Sequence, residues 1–310
     1  MNNYIKRRNF LKTILASPTL ASTGILSTPQ PIPAKDKIKK TAGSKLRISL
    51  NAYSFNQPLT EGSMTLDDLL DFCAANDFDA VDLTGYYFPG YPAIPEDSYI
   101  FHLKQKAHRL GLDISGTGVK NDFTNPDKSK RKKDVKLVKK WIQCAAKLGA
   151  PVIRIFSGLQ IPEGHSWDET ATWTVKDMKK CAEYGKEYGV FVAMQNHNDF
   201  IKTGDQAQQI IELVNSDWFG LVLDIGSYRN GDPYKQIEQT AKYAVNWQLK
   251  EMMFLDGTEQ KTDLKKIIAI IQSSGYRGYL PIETLGTGDP KIKVPLFLAQ
   301  VREALEENGL

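Results

Sequence analysis

Polar side chains end four apolar strands predicted in the second half of the sequence. They are Gln195, Asp224, Gln248 and Glu283, and Lys250 follows two residues after Gln248. Two carboxylates and two amides offer oxygen ligands, which hard divalent cations prefer. The pattern predicts that these four residues form a site for Mg²⁺, Mn²⁺ or Ca²⁺, and of these we expect Mn²⁺ or Mg²⁺. For any one position alone, ordinary capping and turn chemistry is the alternative interpretation.

A second group of polar residues falls at or near the ends of other predicted strands. Tyr53, Asp82, Arg154 and Asn198 are candidate substrate-binding residues, and His197 is a candidate catalytic acid or base. Arg154 interrupts an apolar strand, which is unfavourable unless the guanidinium has a partner or a function. It either binds a substrate oxygen or pairs with Asp82. A histidine at a strand end is as often structural as catalytic.

Short apolar runs alternate with amphipathic stretches from residue 46 onward, and this pattern defines the elements that must position these side chains. Strands are predicted at 47–52, 80–84, 112–117, 151–156, 190–194, 220–223, 245–249 and 278–282. Helices are predicted at 65–76, 99–110, 128–148, 167–188, 203–215, 233–243, 262–274 and 290–307.

Eight strand-then-helix units in about 260 residues fit an α/β fold of the (β/α)₈ TIM-barrel type. A doubly wound open sheet is the alternative, but no Gly-x-Gly-x-x-Gly follows the first strand. In a (β/α)₈ barrel the active site lies at the carboxyl ends of the strands. The polar residues at those ends are therefore expected to share one rim.

Charge is distributed unevenly between the start of the chain and the rest. Nine basic residues and one acid give residues 1–45 a net charge of +8, so the remainder carries −4 of the total +4. A nucleic-acid partner is not expected, because its binding needs positive charge on the folded surface. Three cysteines exclude a disulfide framework. No uninterrupted apolar run of membrane-spanning length appears, so stable membrane insertion is not expected either.

The first 28 residues resemble a twin-arginine export signal. Arg7 and Arg8 precede Phe10 and Leu11, and a moderately apolar stretch follows. We predict a signal peptide at 1–28, a Pro/Lys-rich linker at 29–45 and the barrel at 46–310, with a periplasmic location. A disordered basic tail is the alternative for the first segment.

Six segments, in order and spacing, resemble the xylose isomerase-like TIM barrels, often called sugar phosphate isomerases/epimerases. They are FDAVDL at 78–83, KLGAPVIRIFSG at 147–158, YGVFVAMQNHNDF at 188–200, GLVLDIGS at 220–227, VNWQLKE at 245–251 and GYRGYLPIE at 275–283. Together they span almost all of residues 46–310. The resemblance implies a (β/α)₈ barrel with a divalent metal ion and a small sugar substrate.

The resemblance also implies roles for individual residues. The usual ligands Glu, Asp, His and Glu correspond here to Gln195, Asp224, Gln248 and Glu283, so one carboxylate and one imidazole are replaced. Epimerases of this group use two glutamates on opposite faces of the substrate carbon, and an amide at Gln195 cannot act as a base. Glu283 remains the candidate base, and His197 is a candidate second acid or base. Lys250 matches the lysine of a His-x-Lys-Asp segment and is a candidate for polarising a carbonyl or holding a substrate oxygen.

The resemblance implies metal-assisted proton transfer next to a carbonyl of a sugar or keto-sugar. Because sugar phosphates are mainly cytoplasmic, the predicted export favours an unphosphorylated substrate. A hydratase or lyase acting on 3-keto sugars or inososes is one alternative, and a non-catalytic carbohydrate-binding barrel is another. Nuclease chemistry is not expected, because Ser227 replaces a histidine that the related endonucleases need. A homo-oligomer is compatible with the sequence, which does not predict the number of subunits.

Overall fold

The structure, a computed structural model, describes residues 46–310. The signal segment predicted at 1–28 and the linker predicted at 29–45 lie outside the described residues, so both stay predictions.

Eight parallel strands close into a barrel and confirm the predicted (β/α)₈ fold. Around the barrel the order is β1, β10, β7, β6, β5, β4, β3 and β2. The bounds are β1 Arg47–Asn51, β2 Ala80–Thr84, β3 Asp113–Gly118, β4 Val152–Ile155, β5 Phe191–Gln195, β6 Phe219–Asp224, β7 Ala244–Lys250 and β10 Tyr279–Glu283.

Helices connect the strands on the outside of the barrel. They are α1 Asn56–Glu61, α2 Leu66–Ala75, α3 Asp97–Arg109, α4 Lys128–Leu148, α5 Trp167–Tyr188, α6 Gly204–Val214, α7 Pro233–Thr240, α8 Leu264–Ser274 and α9 Pro290–Glu307. Every predicted helix is present, and α1 is an additional short one. No helix within residues 46–310 has the length and apolar character needed to cross a membrane.

The ends of α5 show how local sequence fixes these elements. Ser166 accepts a hydrogen bond from the Glu169 amide, and the Glu169 side chain accepts one from the Ser166 amide. This capping box satisfies amides that the first helical turn leaves unpaired. Gly189 ends the helix with a φ of 68°, a left-handed conformation that glycine adopts without strain. The chain then turns directly into β5, the strand that ends in Gln195.

A hairpin between β7 and α8 was not among the predicted elements. Its strands are β8 Met252–Leu255 and β9 Thr258–Lys261, paired antiparallel. Asp256 and Gly257 form the two-residue turn with φ values of 47° and 79°. An Asp-Gly turn with two positive φ angles is a strong hairpin signal. The signal is present in the sequence, but the polar second strand lacks the apolar alternation by which strands were assigned.

Candidate active site

A cavity of about 770 Å³ opens at the carboxyl ends of the barrel strands. Each of the eight barrel strands ends in a residue that lines it or is followed within three residues by one that does. The lining includes Asn51, Tyr53, Tyr86, Lys120, Asn121, Asp122, Arg154, Phe156, Gln195, His197, Asp199, Ser227, Arg229, Gln248, Lys250 and Glu283. The predicted rim is therefore a real concave site, in the place where barrels of this type carry their chemistry.

Five polar residues from β5, β6, β7 and β10 form one connected cluster, which we call the acid–amide cluster: Gln195, Asp224, Gln248, Lys250 and Glu283. Four of them are buried, and the Lys250 side chain is 12% exposed. Lys250 Nζ lies 2.8 Å from Asp224 Oδ2 and 3.9 Å from Glu283 Oε1. Gln195 Nε2 donates to Asp224 Oδ2 at 2.8 Å and to Gln248 Oε1 at 3.1 Å. The structure therefore brings together all four residues predicted as metal ligands, and it adds an ammonium between the two carboxylates.

Strand register explains why these side chains meet. Asp224 lies opposite Gln248 across β6 and β7, and Glu283 lies opposite Lys250 across β10 and β7. Gln248 and Lys250 are two residues apart on one strand, so both point to the same side of the sheet. The backbone around Asp224 is fixed by Asn196, which exchanges two hydrogen bonds of 2.9 Å with its amide and carbonyl.

Charges within the acid–amide cluster shift one another's pKa. Burial pushes the pKa of Asp224 upward, but the adjacent Lys250 more than offsets this and holds it below the usual value. Burial disfavours the Lys250 ammonium, yet Asp224 and Glu283 together keep its pKa above normal. Burial raises the pKa of Glu283 to about 7, because the more distant Lys250 compensates only in part. At neutral pH Asp224 and Lys250 are charged, and both the protonated and the ionised forms of Glu283 are populated.

Glu283 also has a free oxygen. Its Oε2 atom is buried and has no hydrogen-bond partner among the described residues. A buried carboxylate oxygen without a partner is unfavourable unless a ligand or water completes it. Glu283 also lines the cavity, so its carboxyl group borders any group bound there.

The opposite half of the rim, from β2, β3 and β4, holds Arg154 among aromatic rings, and its lining also includes Lys120 and Asp122. Arg154 donates to the Val119 carbonyl at 2.8 Å and to the Tyr86 hydroxyl, and its guanidinium lies 4.2 Å from the Phe156 ring centroid. Asp82 is buried, and no ion pair within 4 Å joins it to Arg154 in residues 46–310. Burial raises the pKa of Asp82 to about 6, and the field of Arg154 lowers it only partly.

Comparison with known proteins places this architecture. A family profile described as "Xylose isomerase-like TIM barrel" matches residues 70–306. The chain belongs to this family. The result confirms the resemblance that the six sequence segments carry.

One curated protein and two solved structures are similar to this chain. An inosose isomerase from Halalkalibacterium halodurans is 24% identical over 247 residues, which cover 74% of this chain and 86% of that protein. The solved structure of D-psicose 3-epimerase with D-tagatose from Clostridium cellulolyticum H10 has a TM-score of 0.71 and 15% identity, over 84% of this chain and 99% of that one. The IOLI protein with a bound zinc atom has a TM-score of 0.68 and 16% identity, over 84% and 97%.

The zinc atom in one of these similar structures raises the question of whether a metal fits here. No group of three His, Cys, Asp or Glu residues within residues 46–310 is arranged to hold a metal ion. Asp224 Oδ1 accepts from the Gly226 amide at 3.0 Å, and Oδ2 accepts from both Gln195 and Lys250. Gln195 turns its amide nitrogen, not its oxygen, toward the cluster. This donor set does not fit a divalent cation, and the Mn²⁺ or Mg²⁺ ion stays a prediction from the sequence.

The remaining predicted residues are placed unequally. His197 and Tyr53 line the cavity, and His197 Nδ1 lies 2.7 Å from Asp199 Oδ2. Asn198 is not among the residues lining the cavity, and its φ of 62° marks a turn position that asparagine tolerates. Asp82 is not among the lining residues either. The substrate-binding roles of Asn198 and Asp82 therefore stay predictions, and neither residue lines the cavity.

The sequence reasoning missed several lining residues. Lys120, Asn121 and Asp122 come directly after the Val119 that follows β3, and Arg229 follows β6 by five residues. The rule that singled out the polar residues after the later strands would also have found the group after β3. Arg229 is harder to find, because a loop residue at that distance carries no positional signal in the sequence.

Proposed function

We propose that the protein is a sugar isomerase/epimerase-like enzyme that moves a proton at the carbon next to the carbonyl of a sugar or keto-sugar. The observation that carries the proposal is Glu283. It is a buried carboxylate on the cavity, with one oxygen unpartnered and the other near an ammonium. A general base needs a free acceptor in reach of the substrate and a pKa close to the working pH.

The proton transfer can be written with this chain's own groups. Glu283 takes the proton from the carbon beside the carbonyl, and the electron pair of that bond forms a carbon–carbon double bond. The carbonyl electron pair moves to its oxygen, whose negative charge lies next to the Lys250 ammonium. Glu283 then returns the proton to the neighbouring carbon while a hydroxyl proton passes between the two oxygens, and this gives the isomer.

Among the described residues, Glu283 is the carboxylate of the acid–amide cluster that has an oxygen without a hydrogen-bond partner, and this limits the reaction types. The second glutamate of a two-base epimerisation corresponds to Gln195, which cannot accept the proton. His197 is the candidate second acid or base, but it is tied to Asp199 and its side chain is 44% exposed. One-base isomerisation is therefore favoured. Elimination of water by a hydratase or lyase also needs only one base on the carbon, so it is the second candidate.

The named relatives support a small sugar or cyclitol substrate. One is an inosose isomerase, and another is an epimerase whose structure contains D-tagatose. We further propose that the substrate is unphosphorylated and that the enzyme works in the periplasm. The support is the sequence alone: Arg7, Arg8 and the apolar stretch behind them resemble an export signal. Replacing both arginines by lysine should leave the protein in the cytoplasmic fraction.

The decisive experiment is proton NMR in D₂O with free aldoses, ketoses and 3-keto sugars. We expect deuterium at a carbon beside the carbonyl, and a loss of about 100-fold or more in Glu283→Gln, the usual range for removing a general base. Glu251→Gln is the matched control. Glu251 directly follows Lys250 in the chain, but it does not line the cavity, and its carboxylate pairs with Lys293 at 3.4 Å.

The product of the reaction distinguishes the remaining hypotheses about function. An isomeric sugar supports isomerisation, and a product that has lost water supports the lyase. Unchanged exchange in Glu283→Gln would remove Glu283 as the base. Sugar binding that persists in this variant, without any exchange in the wild type, would establish a carbohydrate-binding protein in place of an enzyme.

A further inference from the structure

We propose that the Lys250 ammonium supplies the positive charge of this site and that the protein uses no divalent metal ion. The proton-transfer part rests on the proposed function, whereas the absence of a metal requirement is tested separately below. The argument depends on where the ammonium lies, on which atoms already have partners and on the charge of the cluster.

Position is the first observation. Lys250 Nζ is 2.8 Å from Asp224 Oδ2 and 3.9 Å from Glu283 Oε1, and the side chain is only 12% exposed. It therefore lies between the two carboxylates that any cation at these strand ends would have to bridge. A buried ammonium held by two carboxylates is a fixed cation.

Space for this lysine is built into the neighbouring strand end. A Cβ atom at Gly226 would lie 2.8 Å from Lys250 Cδ and 3.2 Å from the Met252 carbonyl oxygen. Any larger residue at this position would displace the lysine stem. The chain after β6 thus leaves the room that the inward course of Lys250 requires.

The amides are the second observation. Gln195 Nε2 donates to Asp224 Oδ2 and to Gln248 Oε1, so Gln195 holds Asp224 directly and Gln248 fixes the orientation of Gln195. Offering oxygen to a metal would require Gln195 to turn over and to give up both hydrogen bonds. Glutamines at positions 195 and 248 therefore fit a site in which the cation is the Lys250 ammonium, a hydrogen-bond donor, better than a site that holds a metal ion.

Charge is the third observation. Two carboxylates and one ammonium give the ionised acid–amide cluster a net charge of −1, with Gln195 and Gln248 neutral. A divalent ion would bring it to +1 and would stand against the ammonium in a buried place, where like charges repel strongly. The two cations therefore compete for one position, and the structure favours the lysine.

The test begins without substrate. The full chain is dialysed against EDTA and titrated calorimetrically with Mn²⁺, Mg²⁺ and Zn²⁺, and its metal content is measured as purified. We expect no stoichiometric metal and no binding at micromolar concentration. One equivalent of tightly bound metal that contacts this cluster would overturn the proposal, whatever the enzyme assays show.

A designed variant supplies the positive control. Gln195→Glu, Gln248→His and Lys250→Met together offer carboxylates and an imidazole with no competing ammonium, and we expect this variant to bind Mn²⁺ or Zn²⁺. The same two glutamine substitutions with Lys250 retained should bind at least about tenfold more weakly. Equal affinity in the two variants would show that Lys250 does not occupy the cation position.

Exchange in D₂O then tests the catalytic part. EDTA-treated wild type should keep its rate within about twofold, and Lys250→Met should lose about 100-fold, as when one donor to a developing oxyanion is removed. Lys106→Met is the matched control, because Lys106 also joins two carboxylates, Asp67 and Asp71, but on the outer helices. Rate loss on chelation that added Mn²⁺ restores would overturn the proposal. Failure of all exchange would count against the proposed function only, since the binding results stand alone.

Discussion

Two buried aspartates in the two halves of the rim have opposite electrostatics. Asp224, in the half formed by β5, β6, β7 and β10, has an ammonium at 2.8 Å, and its pKa is lowered. Asp82, in the half formed by β2, β3 and β4, has no such partner, and its pKa is raised to about 6. Both are almost fully buried. The difference shows that direct contact with a cation, not burial, decides whether an inward acid is ionised.

The two cations differ in how their donors are used. Lys250 donates to Asp224 directly, whereas Arg154 gives its donors to the Val119 carbonyl and the Tyr86 hydroxyl. Arg154 therefore acts on Asp82 only through its field. One half of the rim is a closed ionic cluster, and the other holds a cation against aromatic rings beside an acid that is easily neutralised.

We expect the largest effect when the carboxylate of Asp224 is removed, and this effect is a loss of free energy of unfolding. Asp224→Asn leaves Lys250 buried with only a distant carboxylate, and removing one partner of a buried pair typically costs about 3–5 kcal/mol. Asp82→Asn removes a charge whose burial is poorly compensated, so we expect no loss. Urea unfolding at pH 8 measures both variants. Similar losses in the two would contradict the contrast.

The pH dependence sharpens this prediction. The folded-state pKa of Asp82 is raised from 3.8 to about 6, so its ionisation opposes folding, and stability falls as pH rises between these values. At pH 8 the free energy of unfolding of Asp82→Asn should therefore be about 1–3 kcal/mol higher than that of the wild type. At pH 4 the gain should largely vanish, because the wild-type carboxyl is protonated when folded. A gain that is constant with pH would contradict the raised pKa.

A smaller effect, about tenfold, is expected on rate. Glu283 must be ionised to accept a proton, so kcat/KM should rise with pH through about 7 and fall about tenfold per unit below it. The groups that act on Glu283 are Lys250 and Arg154, which lower its pKa, and Asp224 and Asp82, which raise it. In Lys250→Met the rising limb should move to higher pH, because the nearest cation is lost. If the rising limb stays at the same pH in Lys250→Met, Lys250 does not influence the pKa of Glu283.

Much of the fold was predictable because its signals are local. Apolar runs, helical periodicity and glycine stops predicted all eight barrel strands, and the capping box at Ser166 and the turn at Gly189 lie where the sequence places the ends of a helix. The hairpin β8–β9 was missed, because its second strand is polar and is recognised only through the Asp256-Gly257 turn. Local signals thus specify the barrel but not every insertion in it.

The site was predictable as a set of residues but not as a set of partners. Strand ends in a barrel converge, so Gln195, Asp224, Gln248 and Glu283 were expected to meet, and they do. The sequence could not show that Lys250 lies between the carboxylates, because that depends on side-chain direction and on the space at Gly226. Nor could it show that Arg154 bonds to Tyr86, which lies 68 residues earlier in the chain.

The smallest expected effect concerns substrate binding by the half of the rim that holds Arg154 among aromatic rings. Lysine cannot reproduce the planar guanidinium that donates to the Val119 carbonyl and Tyr86 while lying against Phe156. In Arg154→Lys we expect KM to rise about fivefold with kcat little changed, in the range of one lost hydrogen bond. Tyr86→Phe is the matched control, since it removes one partner of Arg154 and keeps the guanidinium, and its KM should rise less. Steady-state kinetics on the sugar identified by NMR measures both variants. A fall in kcat at unchanged KM would place Arg154 in the proton transfer itself, and the division of the rim into an ionic half for chemistry and an aromatic half for binding would then be wrong.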